Sequence, residues 1–342
     1  MASITLDQLQ RRLLETERRR EIYEQRLAEG KLTRGDSWRL DYLKYPYLLG
    51  APDFRLKERF RDVFLNVMEL GEDGRIRLVS LTENDAFMQM FSHILEEYQN
   101  RTGGEPPGED IEAARSQILG YHKNGKPIGV KLFQGYEPPN TPILVKYGKR
   151  EFLEPMISSG RMRIANAGMY SKPDLIGSMH DNETSREFFI PTFKERLNGQ
   201  DHLAYNGDKI EFHDDDIRMP VVFGDYYVFS LCEDIHIRMP TDFDADAAIV
   251  VRDPIQFKQR LISTFLAHFP DWKPIEGNVT YYDPYRDYTK IKVPEMVKHF
   301  RYAYQKEVRI VFKPLTFQNQ PLEPVFLSIG SMSDYSDLVS LN

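Results

Sequence analysis

Of the 342 residues only one is cysteine, Cys232, so the chain can form no internal disulfide and no cysteine-based zinc site, a composition that suits a reducing compartment. No segment approaches the eighteen or so uncharged residues a membrane span requires, and the start, MASITLDQLQRRLLETERRR, has no apolar run of signal-peptide length. The expectation is a cytoplasmic protein that stays out of the membrane. Excess positive charge is also missing. Lys and Arg number 45 against 52 Asp and Glu, a net charge of −7, so the bulk field repels polyanions and leaves only local patches to bind them. No internal repeat is visible, no G-x-G-x-x-G follows a strand pattern, and no G-x-S-x-G elbow surrounds a serine, which argues against a dinucleotide-binding doubly wound sheet and a serine hydrolase.

What is present is a globular composition, 41% hydrophobic and 12% aromatic, in a chain longer than one average domain. Residues 1–138 read as mainly helical. Leu6, Leu9, Leu13, Ile22, Tyr23 and Leu27 recur at helical spacing up to Gly30, and further helices are predicted near 54–70, from Thr82 or Asn84 to the loop NRTGGEPPGED, and over 109–120. YHKNGKPIGVKLF reads as a hairpin turning at Asn124 and Gly125, and the Pro/Gly-rich QGYEPPNTP marks a boundary. The first helix needs a partner surface, either in its own region or on another protein. Residues 139–342 alternate short strands with few helices, one of them predicted at PEMVKHFRYA, and read as an α+β unit on mixed sheets.

Several clusters could carry chemistry. HDNE, His180 to Glu183, and HDDD, His213 to Asp216, place histidine beside carboxylates without the spacing of a helical metal site, so turn capping is expected and no metal is assigned. Ser230 and Cys232 share a face of the strand VFSLC. In YAYQKEVRIVFKP, period-2 geometry places Gln305 and Glu307 together, opposite Val308, Ile310 and Phe312, and we assign Arg309 to the apolar side. A solvated edge strand would show the same pattern.

The stretch PILVKYGKREFLEPMISSGRMRIANAGMY, Pro142 to Tyr170, resembles the opening of the ADP-ribosyltransferase superfamily, in which an apolar strand ends in a basic residue, a short helix follows, and a glycine leads into a second strand. The family's His-Gly pair at the strand end corresponds here to Lys146 and Tyr147, with the glycine displaced to Gly148. VFSLC resembles the central serine-bearing strand, with Ser230 at its first serine, and YQKEV resembles the closing Gln/Glu-x-Glu motif. YYVFSLCED, ADAAIVVRD and YQKEVRI also look like a group of little-characterised bacterial proteins related to such toxins. The likeness spans about residues 141–314. It implies an ADP-ribosyltransferase-like fold for residues 139–342, with residues 1–138 recognising a target or a regulator. It further implies NAD as substrate, Glu307 as catalytic glutamate, Gln305 as the residue that orients the acceptor, and Lys146, Tyr147, Gly148, Ser230 and a stacking tyrosine such as Tyr170 as NAD contacts. The activity implied is transfer of ADP-ribose to a protein, RNA or DNA by a bacterial toxin or anti-phage effector, with an antitoxin or chaperone as a further partner. Gln at 305 is, in that family, more typical of enzymes that modify groups other than arginine, nucleic-acid bases among them. An NAD glycohydrolase toxin and a catalytically silent binding module remain alternatives.

Overall fold

The computed structural model describes residues 4–71, 73, 75–79, 84–119, 127–171, 182–205, 207–212, 216–316 and 321–341. The chain is α+β with antiparallel sheets. Its helical part begins with α1 (Leu6–Ala28), where Thr5 accepts from the Gln8 backbone N–H and the Gln8 side chain answers at the Thr5 N–H. Next come α2 (Arg34–Lys44), α3 (Asp53–Val67), the short hairpin β1 (Met68–Leu70) and β2 (Ile76–Leu78), α4 (Asp85–Thr102), α5 (Gly108–Leu119) and α6 (Ile128–Leu132). The helical stripe of α1 packs on α2 and α4, where Arg19 pairs with the buried Glu96 at 2.5 Å.

Beyond residue 139 run β3 (Leu144–Gly148), α7 (Arg150–Ser159), β4 (Arg161–Asn166), β5 (Ser185–Pro191), α8 (Phe193–Leu197), β6 (His202–Tyr205), β7 (Asp208–Glu211), β8 (Asp216–Val222), β9 (Tyr227–Cys232), α9 (Met239–Asp242), β10 (Ala247–Val251) and α10 (Pro254–His268). The chain closes with β11 (Trp272–Asn278), β12 (Thr280–Tyr282), β13 (Val297–His299), β14 (Glu307–Pro314), β15 (Val325–Ser328) and β16 (Ser336–Ser340).

The main sheet has the order β11-β14-β9-β3-β10-β16, and every pairing in it is antiparallel; β12 with β13 is the parallel pair among the described strands. One edge of β9 is shared by two strands. β3 meets it at Val145 opposite Cys232, while β4 meets it at Ala165 opposite Val228 and Asn166 opposite Tyr227. The sheet therefore forks between these contacts, at the level of Ser230. Val308, Ile310 and Phe312 of β14 and Phe229 and Leu231 of β9 fill one face against Phe257, Leu261 and Phe265 of α10. Gly160 ends α7 at φ 68°, and a Cβ there would lie 2.1 Å from the Gly330 carbonyl oxygen, so the turn requires glycine twice over.

The core of the helical part continues past residue 139: Phe60, Ile94 and Tyr98 pack in one cluster with Phe189, Tyr285 and Phe300. Arg59 reaches Asp283 at 2.6 Å, and the Asn66 amide of α3 donates to the carbonyls of Phe300 and Arg301 and accepts from the Tyr304 N–H at 2.9 Å. Likewise α1 touches α8, with Arg196 donating to the Ile4 carbonyl.

Three local expectations change. Residues 128–132 form α6 instead of a strand, and the turn at Asn124 and Gly125 lies outside the described residues. PEMVKHFRYA is not an α-helix: 3-10 turns at Pro294–Met296 and Phe300–Gln305 flank β13, whose pairing with β12 overrides the helical pattern. Gln305 therefore belongs to a 3-10 turn and not to the strand.

Candidate active site

Glu307 opens β14 directly after Lys306, which turns the chain at φ 42°, a left-handed conformation that costs a residue with a Cβ about 1–3 kcal/mol. That turn is held on both sides. The Lys306 carbonyl accepts from Glu233, and the Glu307 N–H donates to the Tyr281 hydroxyl at 2.8 Å. The register Glu307 opposite Cys232 and Arg309 opposite Ser230 then brings three polar side chains to one spot.

The carboxylate of Glu307 is 5% exposed and fully engaged. Its Oε1 accepts from Ser230 Oγ at 2.6 Å and from Arg309 Nε at 2.7 Å, and its Oε2 from Lys298 Nζ at 2.9 Å. Lys298 also donates to Gln305 Oε1 at 3.1 Å, so one ammonium braces both members of the motif. The remaining nitrogens of Arg309 go to Glu183, at 2.6 and 2.9 Å, and to the Glu295 carbonyl. Glu183 in turn accepts from Arg186 at 2.9 Å and from the Tyr226 hydroxyl at 3.2 Å. Burial alone would raise the Glu307 carboxyl, but Arg309 and Lys298, with the hydrogen bonds from Arg309 and Ser230, hold it well below the usual carboxylate range. The same contest, decided by Arg309 and Arg186, keeps Glu183 ionised.

Above these groups opens a cavity of about 120 Å³. Lys146 and Tyr147 of β3 and Ser230 and Cys232 of β9 line it, together with Tyr170 and Phe243. Lys146 donates to the Ser230 carbonyl at 2.9 Å, just where β3 and β4 diverge and that edge of β9 lacks a paired strand. Its ammonium lies 4.7 Å from the Phe229 ring centroid and has no ion-pair partner among the described residues, and burial lowers its pKa. Tyr147 accepts from the His236 N–H at 3.0 Å, and its ring lies nearly parallel to Phe243, 8° apart in plane and 6.3 Å between centroids. Burial pushes the Tyr170 hydroxyl and the Cys232 thiol up to about 12, so both stay protonated at neutral pH.

Six of the expected residues, Lys146, Tyr147, Tyr170, Ser230, Gln305 and Glu307, thus meet at one cavity. Gly148 does not line it; this residue ends β3 opposite Ala247, packed against Leu153. Arg309 stands on the Glu307 face, not on the apolar face expected for it, because residues 307 and 309 share parity in a regular strand. Nor is β14 a solvated edge strand: it lies between β11 and β9, and Glu307 and Arg309 are both buried.

Lys298 and Phe243 had no sequence signal, and Glu183 stood out only as a turn or metal candidate beside His180. His180, Asp181 and His213 to Asp215 lie outside the described residues. Asp216 is buried and accepts from the Tyr285 hydroxyl at 3.4 Å, and among the described residues no cluster of three His, Cys, Asp or Glu side chains is arranged to hold a metal. No described helix is long and apolar enough to cross a membrane. No family model matches the chain, and neither a curated protein nor a solved structure does.

Proposed function

We infer that this cavity binds NAD and transfers its ADP-ribose to a macromolecular acceptor. The observation that carries the reading is the Glu307 carboxylate, ionised and fixed by Ser230, Lys298 and Arg309 at the foot of a cavity that also holds Lys146 and two facing aromatic rings. In the reaction the bond between the ribose anomeric carbon and the nicotinamide nitrogen breaks, and its electron pair leaves with nicotinamide. A lone pair of the acceptor forms the new bond, and the acceptor's proton passes to solvent.

Positive charge develops on the ribose in between, so a preorganised anion beside it lowers the barrier without reorganising. Glu307 suits that role better than that of a base, because its two cations keep it from taking a proton. Lys146, with no carboxylate of its own, matches the substrate's diphosphate, and the rings of Tyr147 and Phe243 match a flat heterocycle.

The test is to incubate the protein with NAD labelled in the adenylate, with and without pools of protein, RNA and DNA, and follow nicotinamide release and acceptor labelling. Release with labelling in one pool, lost in Glu307→Gln, is expected. Release without labelling would make the protein an NAD glycohydrolase, and no release at all would leave a binding module.

A further inference from the structure

A second and larger hollow lies on the other side of the Lys298 segment. It measures about 870 Å³ and runs between α3, the antiparallel pair of β5 and β8, and the stretch from Tyr282 to Tyr302. Tyr302 joins the two spaces: its ring lies 4.6 Å from Lys298 Nζ, which holds Glu307, and 5.1 Å from the Arg301 guanidinium on the groove side.

Four arginines line this groove, Arg55, Arg61, Arg218 and Arg301, against three carboxylates, Glu58, Asp62 and Glu187. In a chain of net charge −7 that is a formal excess of one positive charge. Arg218 pairs with Glu187, Arg301 with Asp62 at 3.9 Å and Arg55 with Glu58 at 3.6 Å, but Arg218 and Arg301 stay 67% and 48% exposed, and Arg61 has no ion pair among the described residues. Two of the four guanidiniums lie over aromatic rings, Arg55 at 4.2 Å from Phe189 and Arg301 beside Tyr302. Both rings are buried, so the guanidinium is the part left for a ligand to stack on. Gln117 and Asn182 add exposed amides, which can both donate to and accept from a base edge.

We propose that this groove binds single-stranded nucleic acid, with Arg61 and Arg218 on phosphates and the ring-backed Arg55 and Arg301 under bases. An acidic peptide would use the same charges but would leave the stacking positions and the amides without partners. A duplex keeps its base faces covered. That the bound strand is also the acceptor rests on the transferase reading; that it binds does not.

The experiment measures fluorescence anisotropy of end-labelled RNA and DNA strands of about 12 nucleotides, without NAD, beside the matching duplexes and an acidic peptide of equal charge. Measurements at roughly 50 and 200 mM salt report the phosphate contacts. Arg61→Glu and Arg218→Glu are each expected to weaken strand binding about tenfold and to flatten its salt dependence by roughly one phosphate contact. Thermal melting of each variant confirms that it is folded. Absence of strand binding, affinity unchanged in both folded variants, or equal or better binding of the peptide or duplex would overturn the proposal. Nicotinamide release by the same wild-type sample, measured with the protein, RNA and DNA pools present, separates the two readings. Release without strand binding removes the groove proposal alone, and strand binding without release leaves the groove standing while the transferase reading falls.

Discussion

Where α3 meets the strand-rich half, Arg59 sends two nitrogens to Asp283 at 2.8 and 2.6 Å, one cation for one anion, packed among Tyr47, Tyr285 and Phe300. At the fork of the main sheet three cations, Lys298, Arg309 and Arg186, surround two carboxylates, Glu307 and Glu183, against an open cavity, and Lys146 stands nearby without an ion pair among the described residues. Both groups are buried and both are hydrogen-bonded. What separates them is stoichiometry and free space. A balanced, enclosed pair joins two parts of the chain, whereas an unbalanced set beside a void retains electrostatic capacity for a ligand.

The sharpest way to break this distinction is at the joint. Arg59→Met should strand Asp283 in the core and cost about 3–5 kcal/mol of stability, while Arg59→Met with Asp283→Leu should recover most of it. Denaturant melts of the two variants decide, and a single variant as stable as wild type would remove the joint from the comparison.

At the fork the largest effect is expected on rate. Glu307→Gln should lower nicotinamide release by about 10²–10³-fold, the usual cost of losing one preorganised group. Wild-type rates in the folded variant would refute the role assigned to the carboxylate.

Lys298→Met sharpens the contrast further, since it removes a surplus cation from a set that has three for two. Release should fall roughly tenfold, because Gln305 and Glu307 lose their shared brace, whereas stability should fall by about 1–3 kcal/mol, less than at the joint, because Arg309 still neutralises Glu307 while the buried Gln305 oxygen loses its donor. Destabilisation as large as that of Arg59→Met would show that the fork is as structurally committed as the joint.

The smallest effect concerns pH. Asp283 and Glu307 are both held below the ordinary carboxylate range, so their stabilisation is complete at neutral pH and is lost only as strong acid protonates them. Asp216 runs the other way. Burial raises its carboxyl to about 7, so the unfolded chain gives up this proton first, and the contribution present below the ordinary carboxylate range is lost as pH rises toward 7. Asp216→Asn should therefore stabilise the protein by about 1 kcal/mol more at pH 6 than at pH 5. Melts at the two values that differ from wild type by the same amount would show that Asp216 titrates normally.

Legibility in the sequence followed the range of the interactions. The Thr5–Gln8 cap, the glycine at 160, the continuous apolar run of β10 and the alternation in β14 are local, and each could be read from its own residues. Lys146, Ser230 and Glu307 could be brought together because a family likeness supplied the order of the strands. Lys298 could not, since it reaches Glu307 only through the pairing of β13 with β12, inside a segment whose own pattern is helical. Glu183 was hidden for a similar reason: its partner Arg309 lies 126 residues away. The face of Arg309 is legible from parity alone, because residues 307 and 309 share a side of a regular strand.

β14 carries a consequence of a different kind. It lies between β9 and β11, both of which precede it in the chain, so the strand bearing Glu307 is inserted between two strands made before it. Until residues 307–314 are made, Tyr227–Cys232 and Trp272–Asn278 offer open hydrogen-bonding edges beside uncovered apolar side chains, the condition in which chains pair with one another. Closing the sheet and delivering the carboxylate are a single event, governed by long-range contacts that form slowly. A nascent or truncated chain ending before residue 307 is therefore prone to aggregate and also lacks the carboxylate on which the proposed transfer rests.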